Sequence, residues 1–127
     1  MENVSKVMVC VTRQKTCERL IKIGKKVATE LQADLSVVHV AKNGVNFLGN
    51  PDEGEALDYL FSVSKESDAE MTVLRSDNEV STLVEFARKN NITEIVVGQS
   101  PDLNNRTNII KEMQSQLPHI RFRIVPS

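Results

Sequence analysis

After Gly98 this chain of 127 residues contains no further glycine, and it contains no tryptophan anywhere. The first absence removes a glycine-built phosphate cradle from the carboxyl-terminal quarter, because backbone amides approach phosphate through glycine turns. The second, with aromatic residues at only 4%, removes the stacking platforms that bind single-stranded nucleic acid. A strong charge excess is also missing. The formal net charge of −1 argues against a general partner role with nucleic acid or a membrane surface. No apolar run approaches the roughly 20 residues of a membrane span, and the opening Met1-Glu2-Asn3 has no signal-peptide pattern. A cytoplasmic location is therefore expected. Cys10 and Cys17 form no CxxC pair, and no His/Cys cluster has metal-ligand spacing, so no metal is expected. Both cysteines read as reduced structural residues, although Cys17 near a helix start leaves a reactive thiol as the lesser alternative.

What the chain does have is a short, wholly apolar β-run, Glu94-Ile95-Val96-Val97, that stops at Gly98 and enters Gln99-Ser100-Pro101. A strand apolar on both faces belongs to a parallel sheet covered by helices on each side. Ligands of such sheets bind beyond the carboxyl ends of the strands, so Gly98 marks the expected site. At 40% apolar and 26% charged residues, the whole length is expected to form one domain, residues 1–127, with a core of its own.

Strands and amphipathic helices alternate along the chain. Strands are expected at Lys6–Thr12, Leu35–Val40, Met71–Arg75, Thr93–Val97 and Ile120–Val125. The first helix, Cys17–Gln32, is capped by Thr16 and turns Cys17, Leu20, Ile21, Gly24, Val27, Ala28 and Leu31 inward, with Gly24 suited to close helix–sheet contact. The second, Glu53–Ser67, places Ala56, Leu57, Leu60, Phe61 and Ser64 inward. The third starts on a capping box formed by Ser76 and Glu79 and runs to Lys89, and the fourth spans Asn105–Leu117. Between strand two and helix two lies a long loop, Ala41–Asp52, whose Phe47 and Leu48 read as an anchor folding back on the core, with a lid or a partner contact as alternatives. In the last strand Ile120, Phe122 and Ile124 alternate with Arg121 and Arg123. One face is then buried and one wet, as on an edge strand, and such an edge either resists pairing or supports a symmetric dimer.

Catalysis needs a nucleophile beside a base, or paired titratable groups in a cleft. His39 lies within the apolar strand Val37-Val38-His39-Val40 and reads as a hydrogen-bonded structural residue, while His119 follows Pro118 and reads as exposed. Ser100 is followed at once by Pro101 and forms no nucleophile elbow, and no Walker A or Rossmann glycine pattern occurs. No enzyme is expected.

The segments VMVCVT-x-QKTCERLI, VVHVAKNG-x-NFLGNP-x-EGEAL and TLVEFARKNNIT-x-IVVG resemble the universal stress protein (UspA-like) superfamily. Within it they are most similar to the stress-protein-like domain of KdpD-type potassium sensor kinases. The resemblance implies an α/β, Rossmann-like fold: a single open parallel five-stranded sheet of order 3-2-1-4-5 with four helices. It also implies a switch point between strands one and four, a role in stress response or signal transduction, and frequent homodimers through strand five. The superfamily's nucleotide-binding branch carries glycine, two residues, glycine, nine residues, then glycine and Ser/Thr. Here Gly98 matches the first position, but Pro101, Lys111 and Glu112 replace the rest, and no acid lies within Thr12–Lys15. Proline has no N–H to donate and Glu112 adds negative charge, so no cofactor is expected and ATP in particular is not. What survives is Gly98, with Val40 at the end of strand two where the adenine packs in that branch. Arg13, Lys15, Ser100 and Arg106 could still gather at the carboxyl edge beside Thr12 and the first amides of helix one. An adenine nucleotide or another small anion, or the cyclic dinucleotide that the resemblance to the sensor-kinase branch implies, is the alternative to plain solvated loop cations.

Overall fold

Val7, Met8, Val9 and Cys10 are each no more than 3% exposed, so the first strand is enclosed on both faces, as its unbroken apolar sequence requires. The computed structural model describes residues 5–99 and 103–126, with residues 103–108 described by their backbone alone. Five strands alternate with four helices among the described residues: β1 (Lys6–Cys10), α1 (Gln14–Leu31), β2 (Asp34–Ala41), α2 (Glu53–Glu66), β3 (Glu70–Arg75), α3 (Glu79–Lys89), β4 (Glu94–Gly98), α4 (Leu103–Gln116) and β5 (Arg121–Val125). The sheet order is β3-β2-β1-β4-β5, and every pairing is parallel. Val9 pairs with both Val37 and Val96, so β1 is central and the order reverses between β1 and β4. This is the expected open α/β sheet.

Two cores form, one on each face. Val7, Val9, Val37 and Val96 meet Leu20 and Ile21 of α1 and Ala56, Leu60 and Val63 of α2. Met8, Val38, Ile95 and Val97 meet Leu83, Val84 and Ala87 of α3 and Ile110 and Met113 of α4. Gly24 makes the α1 contact possible. A Cβ there would run into Val9 Cγ2, well inside van der Waals contact.

Several local expectations are corrected. Helix α1 begins at Gln14 with Arg13 at the cap and no side-chain cap bond. Thr16 does not cap it, because its hydroxyl donates back to the Arg13 carbonyl at 3.3 Å from within the first turn. The expected box of Ser76 and Glu79 is replaced by Asn78, whose side chain accepts from the Ser81 amide at 3.0 Å. Ser76 instead accepts from the Asn78 amide at 3.1 Å, a local turn that moves the helix start two residues on. On α2 the inward stripe is Ala56, Leu60, Val63 and Ser64, and Leu57 is only half-buried. Phe61 is 56% exposed, because it lies one residue beyond that stripe. Leu31, in the last turn of α1, is exposed as well.

On the last strand Ile120 and Phe122 are half-buried against the second core, and Arg121 and Arg123 are exposed. Ile124, expected inward, is 43% exposed, and Val125 is buried in the first core. Arg123 is not merely an edge charge. Its Nε donates to Glu94 Oε2 at 3.0 Å, and Glu94 is only 4% exposed. A buried carboxylate without such a partner is strongly unfavourable.

Two stability changes are expected. Gly24→Ala should lower the urea midpoint by an amount equivalent to about 1–3 kcal/mol through overpacking against Val9, outweighing the roughly 1 kcal/mol of helix propensity that alanine adds. An unchanged midpoint would mean that α1 and β1 are not in tight contact. Arg123→Ala should destabilise by about 1–3 kcal/mol, since Glu94 keeps its burial but loses its cation. Adding Glu94→Gln should recover part of that loss in a double-mutant cycle, and full additivity would show the pair to be uncoupled.

Candidate functional site

The carboxyl ends of β1, β2 and β4 come together where the strand order reverses. The Val11 amide extends the β1 ladder by donating to the Val38 carbonyl at 3.0 Å, and the Gln99 amide does the same from β4 to Val125 at 2.8 Å. Beyond β1, Thr12 is half-buried and Arg13 and Lys15 are exposed, next to the first free amides of α1. Neither cation forms a hydrogen bond or ion pair through its side chain with any described residue. Val40 is 8% exposed, near the end of β2, and packs in the second core. Gly98 closes β4, and the space above its Cα is taken by Leu20 of α1, whose Cδ1 would lie 3.2 Å from an added Cβ. Ser100 lies outside the described residues, as does the Arg106 side chain. Thr12, Arg13, Lys15, Val40 and Gly98 thus share one edge of the sheet.

The loop after β2 is tied down over this edge more firmly than its Asn, Gly and Pro content suggests. Phe47–Gly49 form a short 3-10 turn, and Leu48 is buried in the first core, the anchor expected of it. Leu48 has φ +56° and ψ +18°, a left-handed conformation that costs a non-glycine residue about 1–2 kcal/mol. Its amide donates to Nε2 of His39 at 3.1 Å, while Nδ1 of His39 lies 2.9 Å from the Val11 carbonyl. A carbonyl only accepts, so Nδ1 carries the proton and Nε2 offers its lone pair. Burial holds the His39 imidazole below its ordinary pKa, with the Val11 carbonyl and Glu79 opposing that and Arg75 adding to it. His39 is a structural hydrogen-bonding residue.

Arg75, at the end of β3, organises the rest of the loop. Its guanidinium stacks on Phe47 at 4.1 Å, donates to the Val45 carbonyl at 2.9 Å and the Lys42 carbonyl at 3.2 Å, and pairs with Glu53 at the start of α2. The same Glu53 carboxylate accepts from the Phe47 amide at 3.2 Å. Further along, Asn43 bonds Asp77 through its amide and its side chain, and Asn50 donates to Gln14 at 2.9 Å. Apart from the Glu53–Phe47 bond, these partners are separated by 22 to 36 residues in the chain, and no local motif announces them. A lone arginine ending a strand opposite an aromatic loop residue is the only signal available before folding.

Cys17 is fully buried, and burial pushes its thiol pKa up to about 12. It therefore stays protonated and unreactive near neutral pH, as a structural cysteine does. Among the described residues no three His, Cys, Asp or Glu side chains gather as a metal site would require. No described helix is long and apolar enough to cross a membrane.

Residues 3–110 match the universal stress protein family. Over 96 residues, 75% of the chain, it is 31% identical to the sensor protein KdpD of Mycobacterium tuberculosis, in strains CDC 1551 / Oshkosh and ATCC 25618 / H37Rv alike. The match spans 11% of that sensor protein. Of solved structures, a universal stress protein in complex with cAMP superposes with a TM-score of 0.67 at 15% identity, over 98% of each chain. A universal stress protein from Archaeoglobus fulgidus in complex with dAMP gives 0.59 at 15% identity, over 96% of each. Likeness at that identity establishes the fold. The sequence match over most of the chain establishes more: this chain belongs to the universal stress protein family.

Proposed function

We propose that this chain is a non-catalytic regulatory or sensory module of stress response or signal transduction, cytoplasmic, and not loaded with ATP as a resident cofactor. The observation that carries this reading is the make-up of the segment after β4. Where a triphosphate cradle would need glycines and a hydroxyl, the chain has Pro101, Lys111 and Glu112. Lys111 and Glu112 fall well inside α4, which begins at Leu103. Amides in a helix interior are committed to their own carbonyls, so none is free there to meet phosphate. A homodimer through β5 suits the module, since Ile124 is exposed beside Phe122 on an edge strand that also carries Ile120, Arg121 and Arg123.

A second reading has its own support. Arg13 and Lys15 stand unpaired among the described residues beside the α1 amides, and two structural neighbours were solved with cAMP and dAMP. On this reading an adenine nucleotide, a cyclic dinucleotide or a similar small anion occupies the β1/β4 crevice, held by Thr12, Arg13, Lys15, Val40, Gly98, Ser100 and Arg106. Solvated loop cations remain the simpler explanation of the same charges.

A thermal-shift comparison of ATP, AMP, cAMP and cyclic dinucleotides separates the two. ATP is expected to leave the melting temperature unchanged. Stabilisation by about 2–3 kcal/mol at ATP a hundredfold above its dissociation constant would overturn the first reading. A shift with a smaller nucleotide that disappears in Arg13→Ala would establish the second. For the dimer, sedimentation at micromolar concentration should give twice the chain mass, and Ile124→Lys should reduce it. A wild-type monomer under those conditions removes the β5 interface.

A further inference from the structure

Among the hydrogen bonds that hold the loop after β2, the one from the Leu48 amide to His39 is buried, and its acceptor is titratable. His39 is 3% exposed, and its two ring nitrogens are both engaged, Nδ1 with the Val11 carbonyl and Nε2 with the Leu48 amide. Leu48 is 3% exposed and holds a left-handed backbone at φ +56°, a conformation that persists only where its surroundings enforce it. The ring of Phe47 meets the His39 ring edge-on at 6.0 Å, so the imidazole supports the turn through a second contact.

We propose that segment 43–50 is a proton-operated latch, closed while His39 is neutral and released when His39 takes up a proton. The mechanism is a mismatch of donors. The Val11 carbonyl can only accept, so the neutral ring must carry its hydrogen on Nδ1 and present a bare Nε2 to the Leu48 amide. A second proton has to enter at Nε2. It then faces the Leu48 N–H, two donors meet in a buried site, and the bond that closes the loop is replaced by repulsion.

Burial is the main influence on where this happens, and the charged groups around the ring adjust it. Arg75, reaching from β3 over Phe47, opposes a positive imidazole, and Glu53 from α2 neutralises part of that guanidinium. Glu79 from α3 favours the charged ring. Burial is the largest influence and disfavours the charge. Because the closed loop lowers the pKa of His39, closure is fully stable above the ordinary histidine value of about 6.5 and weakens as pH falls below it. Opening returns the ring to water and restores its affinity for the proton. What opening uncovers is the carboxyl edge of β1 and β2, the region next to Arg13 and Lys15.

Amide exchange and 15N–1H spectra of the intact chain between pH 8 and pH 5 test the latch. After correction for intrinsic exchange, protection of the Leu48 amide should be constant above about pH 7. Below about 6.5 it should fall by up to about tenfold per pH unit, the limit for one proton. Core amides of β1 and β4 should keep their protection over the same range. The imidazole nitrogen shifts should report the Nδ1–H tautomer at pH 8 and titrate with the loss of Leu48 protection. His39→Gln keeps a donor and an acceptor but cannot titrate, and it should abolish the pH dependence. Three results would overturn the proposal: Leu48 protection that is flat from pH 8 to pH 5, loss of protection shared with the core strands, or an unaltered pH profile in His39→Gln. The wild-type nitrogen titration decides the question even where that variant folds poorly.

Discussion

Parallel pairing makes β1 and β4 interior on both faces, and that double burial dictates the arrangement around them. A strand with Val7 and Val9 on one side and Met8 and Cys10 on the other cannot tolerate solvent on either. Helices must therefore cover both faces, two on each, and each must present an apolar stripe matched to the pleat. Spacing becomes the critical variable. At Gly24 the helix α1 approaches β1 so closely that no side chain fits between them, and at Gly98 the α1 residue Leu20 lies over the strand end. Polar function is confined to the strand ends, where the backbone ladder runs out.

At the carboxyl ends the chain meets that boundary with its own side chains. His39 is a polar group inside an otherwise apolar stretch of β2, and it is acceptable there only because both nitrogens are bonded. Its partners are carbonyl and amide groups from the end of β1 and from the long loop, so one imidazole ties together two segments that share no ladder hydrogen bond. Arg75 does the same further out, joining Lys42, Val45, Phe47 and Glu53. Phe47 and Leu48 fold back onto the first core beside His39. Arg13 and Lys15, at the end of β1, are left without such partners among the described residues. Among the described residues the edge is therefore divided into a self-satisfied half over β2 and a cationic half over β1.

The elements were legible from periodicity, while the order of the strands came from the resemblance to the universal stress protein superfamily. Continuous apolar runs marked β1 and β4, helical spacing marked the inward stripe of α1, and alternation marked the edge character of β5. Failures cluster where a choice depends on geometry a few residues wide. Thr16 and Ser76 both have the right chemistry for a helix cap, yet the Arg13 carbonyl and the Asn78 amide claimed their hydroxyls. Phe61 and Val63, two residues apart, stand on different sides of α2, and it is Val63 that joins the core. Of the site, Leu48 as anchor and His39 as a bonded core histidine were readable from hydrophobicity. The Arg75 network was not, since its partners meet only after β2, β3 and α2 have been assembled.

Strand β5 shows how one edge residue can serve the stability of its own chain. Read from alternation, Arg121 and Arg123 are equivalent charges that blunt an exposed edge. Packing separates them. Arg123 faces Glu94, a carboxylate placed on a central strand where solvent does not reach, and without the guanidinium that charge would be stranded. Arg123 is thus committed within its own chain and can contribute little freely to a partner, whereas Arg121 has no such tie among the described residues. Ile124 is the complementary case, an aliphatic side chain paired in register with Val97 but left largely in water. An edge meant only to repel other strands would gain from a polar residue there. Arg123 is thus immobilised, Arg121 is without such a tie among the described residues, and Ile124 is uncovered, so side chains that alternation treats alike have different surroundings in the folded chain.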